Sequence, residues 1–202
     1  MTRPVTRRVA IFGGSFDPPH NAHVALARTA RAALSLDEVR WIPAGQPWQK
    51  ARDMTPAPMR EAMVRLAIEG EPACTLDRIE LERSGPSVTL DTVAALRARE
   101  PDTEWVLLIG GDQYANLHTW RDWERLLSLT VLAVAQRPGE RPPPDPAVQR
   151  HPHTAVPLPM LDISSTDIRQ RVSRGESIAD LVPPKVARYI AQHSLYQEGP
   201  AH

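Results

Sequence analysis

The chain reads as an α/β protein with a mostly parallel sheet, helices on both faces and a helical extension at its C-terminal end. Three observations predict this. Short β-branched or apolar runs alternate with segments of helical periodicity. Glycine pairs follow two of those runs directly, at Gly13-Gly14 and Gly110-Gly111. The most uniformly apolar run, Trp105 to Ile109, has the character of a strand covered on both faces and therefore central.

Taken in order, Val9 to Phe12 is a buried strand stopped by the first glycine pair. Val24, Leu26, Ala27, Ala30 and Leu34 then recur at three to four residue spacing, so His23 to Leu34 is an amphipathic helix. Val39 to Ile42 is a second strand, and Met59 to Ile68 a second helix ended by Gly70. Thr75 to Leu81 reads as a strand, Leu90 to Arg99 as a helix and Trp105 to Ile109 as the central strand. Asp122 to Leu129 and Val131 to Ala135 continue the rhythm as helix and strand, which makes the fold Rossmann-like. Eight prolines between Pro138 and Pro159 predict an exposed connection, residues 138–159, without regular elements. Leu158 to Ile163 is expected to re-enter the sheet. Ser164 to Asp167 start a helix before Ile168 to Val172, and Lys185 to about His193 is helical. Residues 1–202 are expected to form a single domain, with residues 164–196 as its C-terminal part.

The chain has 202 residues, 42% of them hydrophobic, enough for a proper core. Lys plus Arg and Asp plus Glu both number 24, so no bulk field favours nucleic acid or an anionic membrane, and small partners are expected. No apolar run approaches the roughly 20 residues that span a bilayer, and Met-Thr-Arg-Pro leads into a strand, so a cytoplasmic location is expected. Cys74, the single cysteine, reads as a small buried hydrophobe. The oligomeric state stays open, a homo-oligomer included.

The chemistry is concentrated at Gly13-Gly14-Ser15-Phe16-Asp17-Pro18-Pro19-His20-Asn21-Ala22-His23, between the first strand and the first helix. Glycines let backbone approach a phosphate, and N–H groups at a helix start favour an anion. His20 and His23, three apart, can face one ligand if both lie in the first helical turn, and donate to its phosphate oxygens. Ser164, Ser165 and Thr166 with Arg169 one turn later make a second anion site. Two phosphate sites imply a polyphosphate. The spacing matches neither a phosphate loop ending in Gly-Lys-Ser/Thr nor a dinucleotide G-x-G-x-x-G.

The first string resembles the G-x-F-D-P-x-H-x-G-H signature of the adenylyltransferases among the HIGH-type nucleotidyltransferases, with Ala22 in place of a glycine. Ile163 to Arg169 resembles the family's I-S-S-T-x-I-R, which implies that Ser165, Thr166 and Arg169 bind the phosphate tail of ATP. The resemblance implies a nucleotidyltransferase fold, and places Gly13, Gly14, Ser15, Phe16, His20 and His23 at ATP. Further segments resemble the nicotinate mononucleotide branch. Pro86 to Thr92 is similar to P-S-Y-T-x-D-T with Val88 for tyrosine, implying that Thr89 and the Leu90 backbone lie near the pyridine carboxylate. Gly110-Gly111-Asp112 with Leu117 and Trp120 is similar to G-x-D-x-x-x-x-L-x-x-W, implying that Asp112 meets ribose hydroxyls, within the ATP set, and that Trp120 stacks on the pyridine ring. Arg121 joins the mononucleotide set beside it. Arg137-Pro138-Gly139 is similar to R-P-G, implying that Arg137 lies near the mononucleotide phosphate. Pro43 to Lys50 resembles a loop that often reads P-P-H-K, with Trp48 and Gln49 replacing its proline and histidine and Lys50 kept as a phosphate contact.

The resemblance implies transfer of AMP from ATP to nicotinate mononucleotide, giving nicotinate adenine dinucleotide (deamido-NAD) and pyrophosphate in NAD biosynthesis. His20, His23 and Arg169 carry the catalysis as phosphate donors, and Mg2+ arrives on the ATP phosphates with no metal ligand from protein side chains. The alternatives are a nicotinamide mononucleotide or phosphopantetheine adenylyltransferase, or a catalytically silent nucleotide sensor of the same fold.

Overall fold

The computed structural model describes residues 7–46, 54–136, 144–157 and 161–197. Its centre is a six-stranded sheet in the order β3-β2-β1-β4-β5-β6, every neighbouring pair parallel. The strands are β1 (Arg7–Gly14), β2 (Glu38–Pro43), β3 (Cys74–Leu76), β4 (Thr103–Gly110), β5 (Val131–Gln136) and β6 (His153–Pro157). The helices are α1 (Asn21–Leu34), α2 (Ala57–Ile68), α3 (Thr89–Arg99), α4 (Gly111–Ala115), α5 (Trp123–Ser128), α6 (Pro146–Gln149), α7 (Ser165–Ser173) and α8 (Pro184–Gln192). This is the doubly wound Rossmann-like arrangement that the alternation predicts, with β1 and β4 as the central pair.

Period two within the strands sorts side chains to the two faces. Ala10 and Phe12 of β1 join Val106 and Leu108 of β4 beneath α1 and Val64 of α2. Val9 and Ile11 join Trp105, Leu107 and Ile109 on the other face, beneath α3, α4, α5 and α6. A third cluster fastens the C-terminal helices to the first face, where Ile168 of α7 and Val186 and Ile190 of α8 pack with Ala22, Met63 and Ala67.

Three expectations are corrected. The strand expected over Thr75 to Leu81 ends at Leu76, because the Asp77 carboxylate accepts from the Ile79 N–H and turns the chain away from the sheet edge. Within the proline-rich connection, the described residues include α6 and β6. Pro146 opens α6 behind an Asp145 N-cap, where its missing N–H costs nothing, and β6 is an edge strand, where Pro157 is tolerated. Leu161 to Ile163 form no strand; Ile163 packs instead into the third cluster.

Candidate active site

The strand order reverses between β1 and β4, so the crevice outside their C-terminal ends is the topological switch point of the sheet. Gly13-Gly14 ends β1 and Gly110 ends β4, which brings both glycine turns to that edge.

The turn after β1 is held rigidly. Phe16 sits in the left-handed region at φ 48°, a conformation fixed by its buried ring. That ring lies edge-on to Phe12 at 5.4 Å and to His23 at 5.2 Å, and tilted on Trp41 at 5.0 Å. The phenyl group is therefore core, and only the Phe16 backbone faces the turn. His20 is the N-cap of α1 and His23 its third residue, so the two rings do share the first turn, stacked at 3.6 Å between centroids. The His20 N–H donates to His23 Nδ1 at 3.2 Å. With Nδ1 accepting, the proton of a neutral His23 ring resides on Nε2, which becomes a donor. The helix start itself is less available than the sequence suggests. Three of its first four N–H groups are engaged within the protein: His20 on His23 Nδ1, Asn21 on the Leu181 carbonyl at 2.9 Å and His23 on the His20 carbonyl.

The second phosphate motif docks on the first. Ser164 caps α7, accepting from the Asp167 N–H at 3.1 Å. Ser165 Oγ donates to the Pro18 carbonyl at 2.9 Å, and Arg169 donates to the Asp17 carbonyl at 2.8 Å and to Thr166 Oγ1 at 3.4 Å. Segments about 150 residues apart in sequence thus form one cationic and hydroxylic edge.

On the other side of the switch point lie the remaining segments. Thr89 is the first residue of α3, and the Leu90 side chain is buried, as is fitting where only its backbone is expected to meet a ligand. Trp120 is half-buried against the same cluster as Leu90, and Arg121 lies 3.9 Å from Asp91, which ties the Trp120 segment to α3. Asp112 is exposed in the first turn of α4, directly after β4. Lys50 and Arg137, with Trp48 and Gln49, lie outside the described residues. Among the described residues, no group of three or more His, Cys, Asp or Glu side chains could hold a metal ion. The donors at this edge suit phosphate oxygens rather than a cation.

Four residues behind the site were not singled out from sequence. Arg60 of α2 is buried, and its guanidinium donates to three backbone carbonyls: Ser15 at 3.0 Å, Gly45 at 3.2 Å and Thr55 at 2.9 Å. Burial lowers its pKa from the ordinary arginine value, opposed by the nearby Asp17 charge. The buried Asp17 carboxylate accepts from the Tyr196 hydroxyl at 2.6 Å and the Thr55 N–H at 3.1 Å, and burial, then the Asp17 charge, raises the Tyr196 pKa. Ser87 Oγ accepts from the Gly45 N–H at 2.9 Å and the Ser87 N–H donates to the Gln46 carbonyl, joining the Pro86 to Thr92 segment to the turn after β2. One signal was available: Arg60 shares a helical face with Met63, Val64 and Ala67, so a charge lies in the apolar stripe.

A cytidylyltransferase-like family model matches residues 11–171. A Methylibium petroleiphilum protein named as a probable nicotinate-nucleotide adenylyltransferase is 46% identical, over 97% of this chain and 95% of its own. A Bordetella petrii protein of the same name is 48% identical, over 95% of this chain and 100% of its own. Among solved structures, Plasmodium falciparum nicotinic acid mononucleotide adenylyltransferase complexed with NaAD superposes with a TM-score of 0.79. It is 21% identical and covers 94% of this chain and 97% of its own, a likeness of fold.

Proposed function

The chain belongs to the cytidylyltransferase-like family, in its nicotinate-nucleotide adenylyltransferase branch, and from that membership we propose how its residues perform the reaction. The reaction moves AMP from ATP to nicotinate mononucleotide, releasing pyrophosphate and forming nicotinate adenine dinucleotide. A phosphate oxygen of the mononucleotide bonds to the α-phosphorus of ATP while the bond from that phosphorus to the bridging oxygen breaks, and the electron pair leaves with pyrophosphate. No protein nucleophile is required. The attacking phosphate is already ionised, so no general base is required either.

Two anions must meet, and the protein's work is alignment and offsetting charge on the leaving group. We assign the ATP phosphates to the Gly13 to Phe16 turn, His20, His23, Ser165, Thr166 and Arg169, with Lys50 from the following loop. His23 presents Nε2–H, and Arg169 adds a fixed charge from α7. Asp112 takes the ribose hydroxyls, and Thr89, Leu90, Trp120, Arg121 and Arg137 take the mononucleotide. Magnesium, carried on the triphosphate, supplies further charge neutralisation when bound. The cytoplasm is the proposed place of work, with small-molecule substrates as the partners.

The observation that carries this reading is the docking of α7 on the β1–α1 turn through Ser165 and Arg169, which brings the residues assigned to the ATP phosphates together at the switch point. The test mixes the purified chain with ATP, magnesium and one acceptor at a time: nicotinate mononucleotide, nicotinamide mononucleotide or phosphopantetheine. Pyrophosphate release and the dinucleotide are both measured. Fastest turnover with nicotinate mononucleotide is expected, and no release with that acceptor defeats the reading.

A further inference from the structure

We infer that Arg60 and Tyr196 are positioning residues that set the ATP-binding turn from behind, Arg60 through the Ser15 carbonyl and Tyr196 through the Asp17 carboxylate. The inference rests on the activity described above. Neither side chain belongs to the phosphate-donor set.

Arg60 lies in the interior with 1% exposure, and each of its three guanidinium nitrogens donates to a main-chain oxygen of a separate segment. A trans peptide carries its C=O and N–H in opposite directions. By drawing the Ser15 carbonyl inward, the guanidinium therefore turns the Phe16 N–H of the same peptide away from itself, out of the interior. A second bond from the same guanidinium, to the Gly45 carbonyl, fixes the turn whose Gly45 N–H is accepted by Ser87 Oγ, two residues before Thr89. A continuous path runs from Ser15 through Arg60 and Gly45 to Ser87, from the ATP turn to the segment assigned to the mononucleotide. Three carbonyls in three directions demand a planar fork, which a lysine ammonium cannot reproduce.

Tyr196 holds the next residues of the turn. Its hydroxyl reaches back across 179 residues to Asp17 Oδ1 at 2.6 Å, while the Thr55 N–H takes Oδ2. The Asp17 carbonyl is the acceptor of Arg169. Side chain and main chain of Asp17 are thereby fixed by the segment after α8, the lead into α2 and α7 at once. A shift of Asp17 moves Arg169 relative to the histidine pair.

The two contacts make different demands, and the test uses the difference. Arg60→Lys and Tyr196→Phe are made in the full chain. Thermal unfolding, kcat, both KM values and calorimetric binding of the ATP analogue α,β-methylene-ATP are then measured. Tyr196→Phe loses one hydroxyl on a partly exposed side chain. It leaves one oxygen of the buried Asp17 carboxylate without its hydroxyl donor, so it is expected to unfold cooperatively a few degrees below wild type, to weaken the analogue about three- to tenfold and to raise the KM for ATP alike, leaving the KM for the mononucleotide unchanged. Arg60→Lys is expected to weaken the analogue about ten- to a hundredfold and to raise both KM values, because it touches both segments. Wild-type analogue affinity and ATP KM in Tyr196→Phe overturn the inference, and so does an Arg60→Lys protein that loses only thermal stability. If Arg60→Lys does not fold, Tyr196→Phe decides alone. A wild-type chain that binds the analogue and forms no dinucleotide counts against the activity, not against the positioning roles.

Discussion

Replacing Gly45 with alanine tests how tightly the segments behind the site are packed. A Cβ at Gly45 would stand 2.1 Å from the Glu80 carbonyl oxygen and 3.0 Å from its carbon. An acceptable carbon–oxygen contact is about 3.3 Å, so the two backbones must part by roughly 1 Å. Both are main chain, and no side chain can rotate out of the way. That displacement breaks the Gly45 N–H bond to Ser87 at 2.9 Å and the Arg60 bond to the Gly45 carbonyl at 3.2 Å. Two hydrogen bonds at about 1 kcal/mol each, with an overpacking cost of about 1–3 kcal/mol, give a loss of about 3–5 kcal/mol. For a chain of this size that lowers the unfolding temperature by about 6–20 °C. Gly13→Ala is the control, since nothing lies within 4 Å of a Cβ there. It is expected to unfold like the wild type while raising the KM for ATP, because the added methyl occupies the space a phosphate needs. Calorimetric unfolding of both variants beside steady-state kinetics makes the comparison. A Gly45→Ala chain that unfolds within about 2 °C of wild type refutes the packing argument.

Removing an imidazole donor in His23→Ala is expected to lower kcat about a hundredfold or more with cooperative unfolding retained, and near-normal turnover in the pyrophosphate assay contradicts the assigned role. Glu80 supplies a pH dependence. Burial raises its pKa above the ordinary glutamate value, against the hydrogen bonds from Thr92 and Ser87 and the charge of Arg83. A raised carboxyl stabilises the fold below its unfolded pKa and loses that contribution as pH rises through the folded value. Glu80→Gln, which keeps the acceptor for Thr92, is therefore expected to gain stability relative to wild type as pH rises from about 4.5 toward neutrality. Denaturant unfolding at a series of pH values checks this, and a constant difference between the two proteins argues against it.

The order of strands and helices along the chain and the positions of the two anion motifs at strand and helix ends were legible because each rests on local chemistry. The run Trp105 to Ile109 is apolar without alternation because both its faces are covered, and β4 is central. The Ser164 cap was legible because capping involves residues three apart. Prolines misled where position in the sheet decides their effect. Pro146 and Pro157 are harmless at a helix start and on an edge strand, and neither location is written in composition.

Alternation of strands and helices, the two motifs at strand and helix ends and the residue types able to donate to an anion can all be read along the chain. These depend on neighbours within a turn or two, where periodicity and capping act directly. Packing of distant segments settles that Arg169 donates to the carbonyl of Asp17, that the Phe16 ring belongs to the core, and that Arg60 and Tyr196 reach the turn from within. A buried backbone carbonyl or carboxylate must find a donor somewhere, and which distant side chain supplies it depends on how the layers pack.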